Sequence, residues 1–142
     1  MITKTSLTVG FTEIDRMGIV HNSIYPIWFE AGRSKYLKKA EIPNSRINAL
    51  GLFLPLSEME CEFKSPARFN DEIMVTTNII HMSCVRIKFE YKVMNKKNGK
   101  LLTTGTTTHA WTDRSIKPLN IEKAAPEIFR KLKQFTELTD NA

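Results

Sequence analysis

The chain alternates between two hydrophobic periods, two residues and about 3.6, and their order sketches the fold. Leu7, Val9 and Phe11 alternate with Thr8, Gly10 and Thr12, which predicts a first half-buried strand. From Ser23 the period turns helical. Tyr25, Trp28, Phe29, Gly32 and Tyr36 share one face, and Ile24, Ile27, Ala31 and Leu37 make much of the remaining early surface apolar. A helix of that kind is buried on most sides in its first turns. Asn22 or Ser23 is its expected N-cap, and Pro26 fits only near a first turn. Gly32 is a poor helix residue whose use is close backbone approach to a packed sheet. The polar end, Arg33 to Lys39, complements the helix C-terminus. Pro43 marks the stop, and Asn44 to Leu50 predicts a short helical turn before Gly51.

The two-residue period then returns. Phe53, Pro55, Ser57, Met59, Cys61 and Phe63 share a phase beside Glu58, Glu60, Glu62 and Lys64, with Pro55 placing the strand's start at an edge or bulge. Ser65 to Asp71 is a turn-rich connector, and the β-branched run from Glu72 to Met82 predicts another strand. The clearest strand is Val85 to Val93: Val85, Ile87, Phe89, Tyr91 and Val93 point one way, Arg86, Lys88, Glu90 and Lys92 the other. Asn98-Gly99 is a hairpin signal leading into a Thr-rich strand, residues 101 to 112, with Gly105 as a bulge or close-approach point. After a loop from Asp113 to Asn120, an amphipathic helix begins near Ala124. It has Pro126 in its first turn, Ile128, Leu132 and Phe135 inward, and a frayed tail over residues 136–142. Strand, buried helix, antiparallel strands and terminal helix describe an α+β fold, a sheet curled around one apolar helix, and not a doubly wound one.

Composition adds bounds. A chain of 142 residues, 42% hydrophobic and 25% charged, reads as one domain, 1–142, with a core of its own. No apolar run approaches the roughly 18 residues of a membrane span, and the first residues lack the hydrophobic core of a signal peptide. A cytoplasmic protein is expected. Cys61 and Cys84 show no metal-ligand spacing and read as buried reduced thiols. The net charge of +6 suits nucleic acid, a phosphate-bearing cofactor tail or a merely soluble basic surface. Aromatic residues fall in core phase and do not interleave with an exposed basic patch, which argues against a nucleic-acid stacking platform.

The chemistry concentrates between Phe11 and Arg33. A loop bearing Asp15 and Gly18 runs through Ile19-Val20 and His21-Asn22 into the start of the apolar helix. Helix starts offer free backbone N–H groups and partial positive charge. A carboxylate beside such donors suits a reaction in which negative charge develops on a carbonyl oxygen. Read from the residues alone, Asp15 is either that group or a loop acid capping a turn. His21 reads equally as catalytic or as a surface or packing residue, and His81 and His109, in strands, as satisfied structural histidines.

Asp15-Arg16-Met17-Gly18-Ile19-Val20-His21-Asn22-Ser23-Ile24-Tyr25, followed by Trp28-Phe29-Glu30 and Arg33, resembles the signature of hotdog-fold acyl-CoA thioesterases of the 4-hydroxybenzoyl-CoA thioesterase type. Pro66 to Glu72, Gly99 to Gly105 and Thr108 to Asp113 are similar to further segments of that family, so the resemblance covers most of residues 7–120. It implies a five- or six-stranded antiparallel sheet wrapped around the Ser23–Lys39 helix, in a homodimer or homotetramer with active sites at the dimer interface. It also implies hydrolysis of an acyl-CoA or acyl carrier protein thioester to free acid and thiol, with Asp15 as nucleophile or general base. Asn22, through its backbone N–H, would polarise the carbonyl, with His21 alongside. Gly18, Ile19, Val20, Tyr25 and Arg68 would form the substrate site, Arg68 meeting coenzyme A phosphates. Coenzyme A is then part of the substrate, and neither a metal nor a redox cofactor is implied.

Two positions depart from the family pattern. His21-Asn22 stands where many relatives carry Tyr-His, and Glu13 where many carry Asp. A backbone donor survives the first change; an imidazole at position 22 does not. The alternative is therefore a hotdog protein that binds acyl-CoA or acyl carrier protein without hydrolysing it.

Overall fold

The computed structural model describes residues 1–140, the side chains of 137–140 excepted. Five strands form one antiparallel sheet: β1 (Thr3–Thr8), β2 (Leu56–Phe63), β3 (Glu72–Met82), β4 (Arg86–Asn95) and β5 (Leu101–Ala110), in the spatial order β1-β3-β4-β5-β2. Helix α1 (Tyr25–Lys39) lies against this sheet, α2 (Asn44–Ala49) follows it, and α3 (Ile121–Ala124) and α4 (Pro126–Asp140) end the described chain. This is the hotdog arrangement, five-stranded, with the expected C-terminal helix.

Aromatic burial holds α1 to the sheet. Phe29 stacks on Tyr91 with ring centroids 4.4 Å apart and planes 9° from parallel, and Tyr36 meets Phe89 edge to face at 5.9 Å. All four rings are fully buried, and such contacts add to what their burial already contributes. Two glycines let the backbones close. A Cβ on Gly105 would come within 2.5 Å of Phe29 Cζ, and one on Gly32 would strike Thr77 Oγ1. Close approach is thus the use of both residues, and the sheet's register breaks fall elsewhere, between Leu56 and Glu58, Ile79 and His81, and Val93 and Met94.

Several expectations shift. The first strand lies at Thr3–Thr8, earlier than the Leu7–Phe11 alternation indicated. Its inward positions begin with buried Thr3, while Phe11 stands 74% exposed in a 3₁₀ turn, Phe11–Glu13. The β2 phase holds from Met59 to Phe63, but a register shift between Leu56 and Glu58 puts Leu56, not Ser57, opposite His109. The strand's side chains stay largely exposed because it is an edge, and Phe53 and Pro55 precede it. Val85 is exposed ahead of β4, while Ile87, Phe89, Tyr91 and Val93 are buried as expected. A separate one-turn helix, α3, capped by Asn120 Oδ1 on Lys123 N–H, comes before α4. The α4 backbone is helical to Asp140; the rest of the expectation for residues 136–142 lies outside the described residues. Cys61 and Cys84 are free thiols but only half-buried. Among the described residues no helix is long and apolar enough to cross a membrane.

Candidate active site

The loop before α1 is tied down by backbone chemistry. Asp15 N–H donates to Ile19 C=O at 2.8 Å, Gly18 N–H to Asp15 C=O at 3.1 Å, and His21 N–H to Glu13 C=O at 2.9 Å. Gly18 takes φ of +77°, a conformation that side-chain-bearing residues resist. Val20 N–H donates to Ala67 C=O, and Ile19 bridges Arg68, so the loop leans on the 65–71 connector. Glu13 anchors it to the helix: its Oε1 accepts from Gly10 N–H at 2.7 Å and its Oε2 from Trp28 Nε1–H at 3.0 Å.

Within this frame one side of the Asp15 carboxylate is held. Oδ1 accepts from Met17 N–H at 2.8 Å and from Ile19 N–H at 3.4 Å, while Oδ2 has no hydrogen-bond partner among the described residues. The N-cap expectation needs correction. His21, with φ −66° and ψ 143°, caps a 3₁₀ turn, Asn22–Ile24, that runs into α1 at Tyr25. Its Nδ1 accepts from Ser23 N–H at 3.1 Å and meets Ser23 Oγ at 2.7 Å. That bonding leaves Nε2 as the protonated nitrogen of the neutral ring. The Asn22 N–H donates to no described residue. Asp15, with one carboxylate oxygen open, and Asn22, with its backbone donor open, therefore line the same cavity.

That cavity, about 430 Å³, is lined by Asp15, Ile19, Val20, His21, Asn22 and Tyr25, and on its far side by Phe63, Lys64, Ser65 and Pro66. Tyr25 is buried and packs edge to face on Phe63 at 5.2 Å; burial pushes its hydroxyl pKa up. Of the expected site residues, Gly18 shapes the loop without lining the cavity, and Arg68 reaches it only through its backbone bridge to Ile19. The Phe63–Pro66 wall and the Glu13 anchor were missed by sequence reasoning. The wall has no local signal, since pairing of β2 with β5 delivers it; the anchor had one, the need of a packed Trp28 for an acceptor.

The remaining histidines divide. His109 is buried with both ring nitrogens bonded, Nδ1 to Leu54 C=O and Nε2 to Thr107 Oγ1, each at 3.0 Å, as a satisfied structural histidine. Burial, helped by the nearby Arg33 charge, pushes its pKa down to about 4. His81 is exposed on β3, so the satisfied reading does not hold for it. Among the described residues no cluster of three or more His, Cys, Asp and Glu side chains is placed to hold a metal ion.

The chain's likenesses fit this geometry. A family model described as the thioesterase-like superfamily matches residues 9–134. A Bacillus subtilis protein named putative acyl-CoA thioesterase YneP is 28% identical over 127 residues, 89% of this chain and 91% of that one. The Arabidopsis thaliana acyl-acyl carrier protein thioesterase ATL3, chloroplastic, is 27% identical over 118 residues, 83% of this chain and 62% of its own. Among solved structures, the DHNA-CoA thioesterase from Staphylococcus aureus superposes with a TM-score of 0.94 at 23% identity, covering 99% of this chain and 94% of that one, a likeness of fold.

Proposed function

Since this chain belongs to the thioesterase-like superfamily, a family of acyl-CoA thioester hydrolases, we propose that it hydrolyses its thioester with Asp15 as the reacting carboxylate and the Asn22 backbone N–H as the donor to the carbonyl oxygen. The observation that carries this reading is the pairing at one cavity of an unbonded Asp15 Oδ2 with an unbonded Asn22 N–H. Thioesters have little of the resonance stabilisation of amides, so a positioned carboxylate suffices without a nucleophilic triad. Asp15 either attacks the carbonyl carbon or takes a proton from the attacking water. The Met17 and Ile19 N–H groups hold Oδ1 and aim Oδ2. As negative charge grows on the carbonyl oxygen, the Asn22 N–H meets it without reorganising, where such a donor contributes most.

His21 acts mainly as the cap that sets the Asn22 N–H in place. Ile19, Val20, Tyr25 and Phe63 take the apolar part of the acyl group, and Arg68 with Lys64 meets the phosphates of coenzyme A or of a carrier protein's arm. In this reading neither a metal nor a redox cofactor takes part. Residues 1–142 act as one domain, the protein is cytoplasmic, and it works as a homodimer or homotetramer with sites at the dimer interface. The test is thiol release from short, long and aromatic acyl-CoAs and from an acylated carrier protein. Hydrolysis of any member is expected; saturable binding of acyl-CoA with no thiol released from any of them would replace this reading with a non-catalytic binding protein.

A further inference from the structure

The turn into α1 is capped by an unusual kind of acceptor. Helix starts ordinarily use the side-chain oxygen of Ser, Thr, Asp or Asn. Here the acceptor is a ring nitrogen, His21 Nδ1, which takes the Ser23 N–H at 3.1 Å. A ring nitrogen accepts through one lone pair, and a proton on Nδ1 removes it. This cap therefore exists only in the neutral imidazole. Ser23 Oγ lies 2.7 Å from the same nitrogen. In the imidazolium, Nδ1–H donates to that oxygen, so the side-chain contact survives with its direction reversed. The Ser23 N–H is left facing another donor and loses its acceptor.

What this loosens is the donor end of the Asp15 cavity. Asn22, whose N–H donates to no described residue, sits between the two capping partners and lines the cavity with His21. One further bond closes the turn, Ile24 N–H to His21 C=O at 3.0 Å, and it does not involve the ring. Protonation thus frees the front of the turn without unfolding it. A donor to a developing oxyanion contributes by being fixed before the charge appears. A loosened turn slows the reaction and does not stop it.

His21 is exposed, so its ring exchanges protons with solvent. Asp15 and Tyr25 line the cavity beside it, and Lys64, paired with Glu62 at 3.2 Å, lines the far wall. The Glu13 C=O accepts the His21 N–H, while its carboxylate is turned to Gly10 and Trp28. Arg68 reaches the loop through its backbone bridge to Ile19. The chain's other two histidines stand apart: His81 lies on β3 outside this cavity, and burial holds His109 down to about 4. Burial pushes the Cys61 thiol up, and the bond to Glu122 does the same for Cys84.

Resting on the thioesterase reading above, we propose that His21 is a positioning residue that acts through the Asn22 N–H in its neutral form alone. Uptake of one proton at Nδ1 then turns hydrolysis down, and the site carries a proton switch separate from the reacting carboxylate. Histidine is the side chain whose charge ordinarily changes between about pH 5 and 8, so the switch works across that range.

The test is kcat and KM against pH for the wild type, His21→Ala and His21→Asn, with the acyl-CoA that the wild type hydrolyses best. Any limb due to Asp15 is common to the three and cancels in the comparison. The wild type is expected to lose about tenfold in kcat between about pH 8 and 5, with KM little changed. His21→Ala is expected to start about tenfold down and to lack that fall. His21→Asn caps with an amide oxygen that takes no proton in this range, so it restores the rate to within a few-fold and also lacks the fall. Thermal melts at each pH, and recovery of the rate on return to pH 8, separate the switch from unfolding.

A second readout needs no turnover. Nitrogen-15 NMR should show Nδ1 as the unprotonated ring nitrogen at high pH. The protection of the Ser23 amide against hydrogen exchange should drop as the ring takes its proton, and should not drop in His21→Asn. A fall in kcat that persists unaltered in His21→Asn, or Ser23 protection that ignores the ring's titration, overturns the proposal. A protein that hydrolyses no acyl-CoA at any pH strikes instead at the thioesterase reading, and leaves the NMR titration to decide the cap.

Discussion

The Asp15 loop and the His109 strand both bring polar groups against α1, but they finish their hydrogen bonding differently. At His109 each link is made, Arg33 donating to Tyr91, Tyr91 to Thr107, Thr107 to His109 and His109 to Leu54, and the imidazole is held neutral inside the fold. At Asp15 the loop satisfies one carboxylate oxygen and leaves the other open, and Asn22, which lines the same cavity, has an open N–H. Buried polar groups that are fully paired rigidify a structure; groups left unpaired at the mouth of a cavity are available to a substrate. The contrast separates a structural histidine from the carboxylate proposed to react more sharply than residue type does.

The largest expected effect breaks the open end of that contrast. Asn22→Pro deletes the backbone N–H and little else, because the φ and ψ of His21 already suit a residue preceding proline and proline is tolerated in a first helical turn. Steady-state kinetics should show kcat down by about 10²–10³, whereas Asn22→Ala, which keeps the N–H, stays within a few-fold. Equal losses in the two variants would assign the role to the side chain.

The closed end is probed by pH. Folded His109 titrates at about 4, pushed down by burial and then by Arg33, against 6.5 unfolded. Between those values the unfolded chain binds a proton that the folded chain refuses, so stability is present above about 6.5 and falls as pH drops toward 4. The slope approaches roughly 1.4 kcal/mol per pH unit. Urea titrations at a series of pH values should show that slope, and His109→Gln should flatten it.

Two smaller effects concern what holds the regions in place. Gly105→Ala drives a methyl into Phe29, whose ring is fixed by its stack on Tyr91; a loss of about 1–3 kcal/mol is expected from denaturation midpoints. Glu13→Gln leaves one acceptor for the two N–H groups of Gly10 and Trp28. It should cost about 1 kcal/mol, change Trp28 fluorescence, and lower activity by loosening the loop.

Much of this was legible along the chain, for identifiable reasons. β4 was plain because each of its inward positions from Ile87 to Val93 is apolar, and α1 because Trp28, Phe29 and Tyr36 leave no other face to bury. β1 was misplaced because its inward positions, Thr3, Thr5 and Leu7, carry little hydrophobic contrast, and buried threonine reads as surface. The exposure of β2 follows from sheet order, a long-range property that no local period carries. Asp15, His21, Asn22 and Tyr25 were found together because one continuous segment supplies them. The Phe63–Pro66 wall is brought to them by strand pairing, so it stands far from Asp15 in sequence.

The most direct test compares Asp15→Asn with the wild-type protein, by thiol release from the acyl-CoA that the wild type hydrolyses best, with thermal melts taken on both. The account predicts a fall in kcat of about 10² or more at an unchanged fold. Hydrolysis within a few-fold of wild type in the folded variant would contradict it, and the open oxygen of Asp15 would then have no part in the reaction.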